Sequence, residues 1–168
     1  MSLDRLFHFK AWANDELLTA LATPGNDSPV TQLPVKALSH SHVVDCIFLA
    51  HLRGTAHAFT SANMAEPPPL DDLAADIREK DQEFVEYVWG LDRSRLNDRV
   101  DFTFTDGALG RMSREEMLLH VITHGVGHRG QVSAVMLLNG VAPTKDGFTT
   151  YLHEAEAASS ANHQETAR

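Results

Sequence analysis

Ten histidines occur in this chain of 168 residues, and histidine is the commonest protein ligand for transition metals. Three of them, His120, His124 and His128, follow one another at intervals of four. Residues four apart lie on the same side of a helix, about 5–6 Å apart at Cβ, so two such rings can close on one ion. The outer two are about 12 Å apart along a helix axis, which is too far to share an ion. The spacing therefore predicts one adjacent chelating pair and a further ligand from elsewhere.

Glycines surround part of this histidine run. Gly125, Gly127 and Gly130 lie beside His124 and His128, and each glycine inside a helix costs about 1 kcal/mol relative to alanine. We interpret this cost as the consequence of a close approach by a neighbouring helix or by a ligand. The glycines favour the second adjacent pair of histidines, but the spacing alone leaves both pairs open.

The further ligand must come from another helix, and the predicted second helix offers two candidates near its start. His40 and His42 lie about 200° apart around a helix at 100° per residue, so they cannot serve one site together. Spacing does not choose between them. The remaining histidines are interpreted as solvated or interfacial groups (His51, His57), as supporting groups beside the ligands (His8, His153) or as a bystander in the tail (His163).

Four long segments repeat apolar residues at intervals of three and four, which predicts four helices. The fourth has the clearest ends, because Ser113 and Glu116 match a capping box and Asn139-Gly140 is typical of a helix stop. The predicted bounds are about Leu3–Leu21, Pro34–Ser61, Leu70–Leu91 and Ser113–Asn139, with a short fifth helix from Thr149 to about Ala158.

A short β-hairpin is predicted just before the fourth helix. Residues 100–104 alternate between apolar and polar types, and Asp106-Gly107 is typical of a two-residue turn. Long helices with short connections indicate an all-α helical bundle to which this hairpin is added. The length fits a single domain over residues 1–158, followed by a flexible tail at residues 159–168.

The composition excludes several classes of function. A formal net charge of −9 and the lack of a basic stripe argue against nucleic-acid binding. The most apolar stretch, Val43–Leu52, contains Asp45 and His51 and is shorter than the roughly 20 residues that a membrane span needs. The single cysteine, Cys46, excludes an internal disulfide and fits a reducing compartment. We therefore expect a cytoplasmic protein that binds neither nucleic acid nor membrane.

Three segments together resemble the DinB-like (DinB/YfiT) family of metalloenzymes. They are FKAWANDELL (Phe9–Leu18), LSHSHVVDCIFLAHLRG (Leu38–Gly54) and HVITHGVGHRGQV (His120–Val132), the last of which contains His-x-x-x-His-Arg-Gly-Gln. The last segment resembles the family's most specific motif and selects His124 and His128 as metal ligands. The second resembles a block in which a histidine stands five residues before an aspartate, which selects His40, with Asp45 as the aspartate.

The resemblance implies a four-helix bundle of up-down-down-up connectivity, often dimeric, with a three-histidine metal site in its core. Members of this family include transferases and isomerases that use a low-molecular-weight thiol such as mycothiol or bacillithiol. The chain departs from the common pattern at Gly127, where relatives often carry another histidine, and at His42, which replaces an apolar residue. Both departures are expected to alter what enters the pocket and to leave the ligands unchanged.

Three neutral imidazoles would leave a divalent ion with an open position, as in catalytic sites. Such a position can hold a water of lowered pKa or activate a thiol, so we expect a metal-dependent transferase or related hydrolase with a small-molecule substrate. Imidazole suits zinc and nickel, and also iron and copper. Gly125 stands where a His-Glu-x-x-His motif places its glutamate base, which disfavours peptide hydrolysis by that route. The alternative is a non-catalytic metal-binding or stress-response dimer.

Other residues near the histidines have simpler interpretations. Asp45 is expected to be a surface or capping carboxylate, although it could orient a group near the site. Cys46 is expected to be a buried small hydrophobe. Glu116 is explained by helix capping. Arg129 and Gln131 are expected to bind a polar substrate, to fix a dimer or to pack helices.

Overall fold

A computed structural model describes residues 2–22 and 29–155, and these residues are mostly helical. The long helices are α1 (Leu3–Ala22), α2 (Pro29–Arg53), α3 (Leu70–Trp89) and α4 (Arg114–Leu138). A 3-10 turn (Arg93–Arg95) and the antiparallel strands β1 (Arg99–Thr103) and β2 (Leu109–Ser113) lie between α3 and α4. Residues 148–155 form a further helix, α5. The predicted all-α bundle with a hairpin before the fourth long helix is therefore confirmed.

Part of the prediction falls on residues that the structure does not describe. The expected tail at residues 159–168 and the last residues of the expected fifth helix lie outside the described ranges. Within those ranges, no helix combines the length and the apolar character that crossing a membrane requires.

Two apolar clusters, one at each end of the bundle, show the direction of each of the four long helices. From α1 to α4 in order, one cluster contains Phe7, Leu52, Phe84 and Met117. In the same order, the other contains Leu21, Val35, Leu70 and Met136. Helices α1 and α4 therefore run one way and α2 and α3 the other, which is the up-down-down-up connectivity. Because α2 and α3 are parallel, the connection at residues 54–69 must return along the length of the bundle.

The second helix lies several residues earlier than predicted. It begins at Pro29, so that Pro34 is inside its second turn, and it ends at Arg53 instead of Ser61. Gly54 ends it in the left-handed conformation, with φ of 70°. The backbone N–H groups of Gly54 and Thr55 donate to carbonyls of the last turn at 3.1 and 2.9 Å, which is a Schellman motif.

The predicted hairpin is present, but its turn has three residues and not two. The Gly107 N–H donates to the Phe104 carbonyl at 2.9 Å, and the Phe104 N–H donates to the Ala108 carbonyl at 2.8 Å. Residues 105–107 thus form the loop, with Gly107 at φ of 90°. A type I turn followed by a left-handed glycine is a common three-residue hairpin connection.

A second glycine of the hairpin allows an aromatic ring to cross it. In the strand register, Phe102 faces Gly110. A Cβ atom at position 110 would lie 2.5 Å from the Phe102 ring, so only glycine leaves room for that ring. Phe102 is buried and packs against Phe48 of α2, with ring centroids 6.1 Å apart. The hairpin therefore places an aromatic side chain against the bundle.

The fourth long helix has the ends that the sequence predicted. The Ser113 hydroxyl accepts from the Glu116 N–H at 3.1 Å, and the Glu116 carboxylate accepts from the Ser113 N–H at 2.6 Å. At the other end, Gly140 has φ of 75° and closes a Schellman motif with Val141. The capping role expected for Glu116 is confirmed.

Candidate metal centre

Three histidines from two helices meet inside the bundle. The ring centroid of His40, on α2, lies 5.2 Å from that of His124 and 4.9 Å from that of His128, both on α4. One ring nitrogen of each histidine lies within 4.8 Å of the other two. The Nε2 atoms of His124 and His128 are 3.1 Å apart, close to the roughly 3.3 Å expected between two ligands of a tetrahedral ion with bonds of about 2.0–2.1 Å. The three residues selected by the resemblance could therefore hold one ion.

Two of these rings are oriented by acceptors on their far side. The Nδ1 atom of His40 donates to the Ala62 carbonyl at 3.0 Å, and the Nδ1 atom of His128 donates to Gln131 Oε1 at 2.9 Å. Because these oxygens can only accept, each Nδ1 carries the hydrogen and each Nε2 keeps its lone pair. Such partners fix the orientation of a metal-binding histidine and increase its basicity. Ala62 lies on the connection that returns along the bundle.

Burial lowers the pKa of two of the three candidate ligands. Loss of solvation, reinforced by His128 and His120, lowers the pKa of His124 to about 4. Burial, followed by the effect of His40, also lowers the pKa of His128. A neutral ring is the form that binds a metal ion, so protons compete weakly for His124 and His128 at pH 7.

A pocket of about 320 Å³ opens beside the three rings, and His40 and His124 form part of its wall. Most of the remaining wall is apolar and comes from α2 and the hairpin, and none of the lining residues is Lys, Arg, Asp or Glu. Among the described residues, no fourth His, Cys, Asp or Glu joins the cluster. The arrangement thus combines three candidate ligands with access for a small molecule.

His42 does not join His40 in this site, as the angle of about 200° between them on α2 predicted. It is buried, and its Nε2 atom is 3.5 Å from Cys46 Sγ. Burial raises the pKa of the Cys46 thiol to about 11. The thiol is therefore protonated at neutral pH, which agrees with the interpretation of Cys46 as a packing residue and not as a nucleophile.

Two other histidines differ from their interpretation, and two agree with it. His8 is half exposed and lies 3.5 Å from Asp4, and His153 is exposed on α5, so neither supports the candidate ligands. His51 and His57 were interpreted as solvated or interfacial. Both are partly buried, which fits an interfacial position; their ring centroids are 5.1 Å apart, and His51 lines the pocket.

A second polar cluster, which we call the ionic network, lies between α1, α2 and α3. Buried Lys10 donates to Asp45 at 2.7 Å and to Asp81, and Asn14 donates to Asp81 at 2.7 Å. Burial disfavours the charge of Lys10, but attraction to the two carboxylates outweighs it and raises the pKa of Lys10. Burial raises the pKa of Asp45 to about 6, against the attraction of Lys10. The expectation that Asp45 is a surface or capping carboxylate is wrong.

Arg129 connects α4 to the ionic network. Its guanidinium is buried, donates to Asn14 Oδ1 at 3.0 Å, and lies 3.4 Å from a carboxylate oxygen of Asp146. It also lies over the Phe9 ring, 5.6 Å from the centroid. Of the roles expected for Arg129, helix packing is the one that these contacts show.

Only one of the three glycines on α4 has a neighbouring helix packed against it. A Cβ atom at Gly125 would lie 3.4 Å from Arg129 Nη1 and 3.6 Å from Lys10 Cε. Positions Gly127 and Gly130 face no described atom within 4 Å. The distances at Gly125 are ordinary van der Waals contacts, so α1 packs against this position without requiring glycine, and a close approach explains none of the three glycines.

The sequence reasoning missed Lys10 and Asp81, although a signal for both was present. Lys10 lies three residues before Ala13 on the apolar face of α1, and Asp81 lies three residues before Phe84 on that of α3. A charged residue on an apolar stripe indicates a buried ion pair. The Ala62 carbonyl, in contrast, is a backbone group and left no sequence signal.

Comparisons with known proteins agree with this fold. The model of the DinB family matches residues 2–165. The protein DinB of Bacillus subtilis (strain 168) is 23% identical over 167 residues, covering 92% of this chain and 96% of that protein. The crystal structure of a DinB-like protein from Bacillus cereus ATCC 10987 is similar with a TM-score of 0.57 at 19% identity, covering 82% of this chain and 90% of that one. Since the family model spans nearly the whole sequence, the chain belongs to the DinB family.

Proposed function

We propose that this protein is a metalloenzyme that uses one divalent ion, held by His40, His124 and His128, to activate a thiol or a water molecule. The observation that supports it most directly is the meeting of three imidazoles, without a fourth described ligand, at the wall of an open pocket. Structural metal sites are usually closed by four protein ligands, whereas catalytic sites keep a position for water or substrate.

The chain's own groups prepare this site for a cation. The Ala62 carbonyl and the Gln131 amide direct two lone pairs inward, and burial keeps His124 neutral at pH 7. The mostly apolar wall of the pocket lowers the local dielectric constant, which strengthens electrostatic interactions near the rings. A divalent ion bound there would supply a Lewis acid that lowers the pKa of a thiol or of water. We propose zinc or nickel, with iron and copper as alternatives that imidazole also suits.

Of the two activations, we favour that of a thiol, in a thiol-dependent transferase. Enzymes with a His-Glu-x-x-His motif use a glutamate to take the proton of the attacking water, and no Asp or Glu lines this pocket. A thiol has only to lose its proton, which passes to solvent. Its sulfur then forms a bond to a carbon atom of a small electrophile, and the leaving group departs with the bonding electron pair. A low-molecular-weight thiol is the co-substrate that this reaction requires.

Metal analysis of the protein purified without a histidine tag tests the site. We expect about one equivalent of a divalent ion in the wild type and a loss of at least a hundredfold in affinity in His124→Ala, because a site of three ligands would lose one. His8→Ala, which removes an exposed histidine outside the site, is the matched control and should bind as the wild type does. Equal metal binding by wild type and His124→Ala would contradict the proposed site.

A panel of thiols and electrophiles tests the activity of the metal-loaded protein. Turnover that requires both the ion and a thiol, and that is lost in His124→Ala, is the expected result. Metal binding without turnover across the panel would remove the transferase and favour the non-catalytic metal-binding dimer instead.

We further propose that the protein is a homodimer that uses the outer face of α4. Between Met117 and Leu138 the only charged residue is Arg129, which is buried, and the outer face exposes Val126 and Leu137. An exposed helical face without charge is typical of protein interfaces. Sedimentation should show a dimer in the wild type and a monomer in Val126→Arg, and a monomeric wild type would contradict the proposal.

A further inference from the structure

The pocket beside the three histidines has polar groups at both ends. His40 and His51 both line it, and their eleven-residue separation on α2 corresponds to about 16 Å along the helix axis. Between them the wall is formed by Val44, Ile47 and Phe48, all of which are apolar. The pocket is therefore elongated, with the candidate ligands near one end and His51 near the other.

His51 has a hydrogen-bonding atom that no described residue satisfies. Its Nε2 atom is buried and has no partner among the described residues. The ring is held between Phe102 and His57, with centroid distances of 4.9 and 5.1 Å. Burial, followed by the neighbouring His57, lowers the pKa of His51, so the ring is neutral near pH 7. A buried polar atom without a partner is unfavourable, and a ligand that pairs with it gains affinity and specificity.

The remaining lining offers no partner for a charged ligand. His120 stacks on Phe48 with ring centroids 4.6 Å apart, and no Lys, Arg, Asp or Glu lines the pocket. Thr105 is the one other polar residue of the wall apart from the histidines. Away from the end with the candidate ligands, a carboxylate or an ammonium group would lose its hydration without meeting an opposite charge.

We infer that this pocket takes an uncharged, elongated apolar molecule, aromatic or branched aliphatic, whose hydroxyl or carbonyl group pairs with His51 while its other end reaches the metal ion. The inference rests on the proposed function, because the ion anchors one end of the molecule. A volume of about 320 Å³ is at the small end of the range for ligand pockets, so the molecule is small. His51 becomes a specificity-determining residue.

Four hydroxamates test the inference, because each can bind the metal through the same group. Acetohydroxamate has no apolar body, 4-phenylbutanohydroxamate has one, and two derivatives carry a hydroxyl or a carboxylate at the para position of the ring. Binding to the cobalt(II)-loaded protein is measured from the visible absorption of the cobalt. We expect the phenyl body to lower Kd at least about tenfold and the hydroxyl to lower it a further fivefold or more. The carboxylate should raise Kd at least about tenfold relative to the hydroxyl.

Variants assign these preferences to the pocket wall. In His51→Leu, which removes the ring nitrogens, the hydroxyl should lose its advantage while the unsubstituted phenyl probe binds as in the wild type. His51→Gln, which keeps a hydrogen-bonding group, should restore part of the advantage. Met112→Lys introduces a cation into the wall and should reverse the preference toward the carboxylate. His8→Leu is the control outside the pocket, and cobalt titration confirms that each variant is loaded.

The outcomes separate this inference from the proposed function. If cobalt binds but the four probes bind alike, or if His51→Leu keeps the hydroxyl preference, the inference is overturned and the metal site stands. If the wild type takes up no cobalt, the proposed function fails and the inference fails with it. Should His51→Leu not fold, the probe series on the wild type and Met112→Lys still decide.

Discussion

The histidine cluster and the ionic network are both polar and both lie inside the bundle, but only in the network does the chain itself pair opposite charges. In the network, Lys10 lies between Asp45 and Asp81, so each charge has an opposite charge beside it. In the cluster, His40, His124 and His128 bring ring nitrogens together with no acidic group among them. One arrangement holds helices together, whereas the other is prepared for a cation that the chain does not contain.

This difference indicates that the ionic network contributes mainly to the stability of the fold and the histidine cluster mainly to ligand binding. A charge pair that is complete in the folded chain makes folding depend on it, because removing one member leaves the other buried and unpaired. Neutral rings tolerate an empty state at moderate cost and gain when a ligand arrives. The predictions below separate the two regions by changing one and measuring both.

The largest effect is expected from Lys10→Met, which leaves Asp45 and Asp81 buried without a cation. The free energy of unfolding should fall by about 3–5 kcal/mol in urea denaturation. Lys36→Met, which changes an exposed lysine of α2, should cost less than about 0.5 kcal/mol. Converting both aspartates to asparagine in the Lys10→Met background should recover part of the loss. A loss below about 1 kcal/mol would show that the network does not hold the bundle together.

A smaller effect is expected from Gln131→Ala, which removes the acceptor behind His128. The affinity for a divalent ion should fall about 10–100-fold, since the ring is no longer oriented. Competition with a chelator of known affinity measures it. Gln131→Glu keeps an acceptor oxygen and should retain most of the affinity. Because the side chain of Gln131 is exposed, the unfolding free energy of the metal-free protein should change by less than about 0.5 kcal/mol. A larger change would show that the histidine cluster also contributes to the stability of the fold.

The smallest effect is a pair of opposite responses to acid in the metal-free protein. The pKa of His124 is lowered from 6.5 to about 4, so the folded state binds this proton less well and loses stability as the pH falls from 7 to 5. The pKa of Asp45 is raised from 3.8 to about 6, so its contribution to stability increases as the pH falls through the same range. Each change is about 1 kcal/mol, a value that allows for solvent screening of the partly exposed His124 ring.

Two variants separate these responses in urea denaturation at pH 7 and pH 5. The stability of the wild type relative to His124→Ala should decrease on acidification, whereas its stability relative to Asp45→Asn should increase. The same sign for both variants would mean that the two regions do not titrate as their surroundings indicate.

The parts of the fold that could be predicted from the sequence depend on local contacts. Ser113, Glu116 and Gly140 mark the ends of α4 through hydrogen bonds within a few residues, and the structure has those bonds. The end of α2 was predicted eight residues too late, because a glycine is compatible with a helix interior as well as with a left-handed stop. Gly54 takes the second conformation. The length of the hairpin turn was wrong because it depends on how the strands pair.

In the candidate site, too, only the features that depend on local spacing could be predicted from the sequence. The i, i+4 spacing of His124 and His128 is a local fact, so their proximity followed from the helix. The choice of His40 over His42 depends on which face of α2 meets α4, and only the resemblance to a family supplied it. His51 shares the face of His40, but nothing local indicated that Phe102 of the hairpin would bury it. Contacts between distant elements decide such questions.

The hydrogen bond from His40 to the Ala62 carbonyl has a practical consequence for mutagenesis. Alanine scanning removes side chains, so it passes over position 62 even though the peptide group there orients a candidate ligand. The sensitive change is instead one of length, since a deletion within residues 54–69 would shift that carbonyl away and free the imidazole to turn. Variants in which the connection at residues 54–69 is shortened or lengthened are therefore the ones to compare when metal affinity changes although the histidines do not.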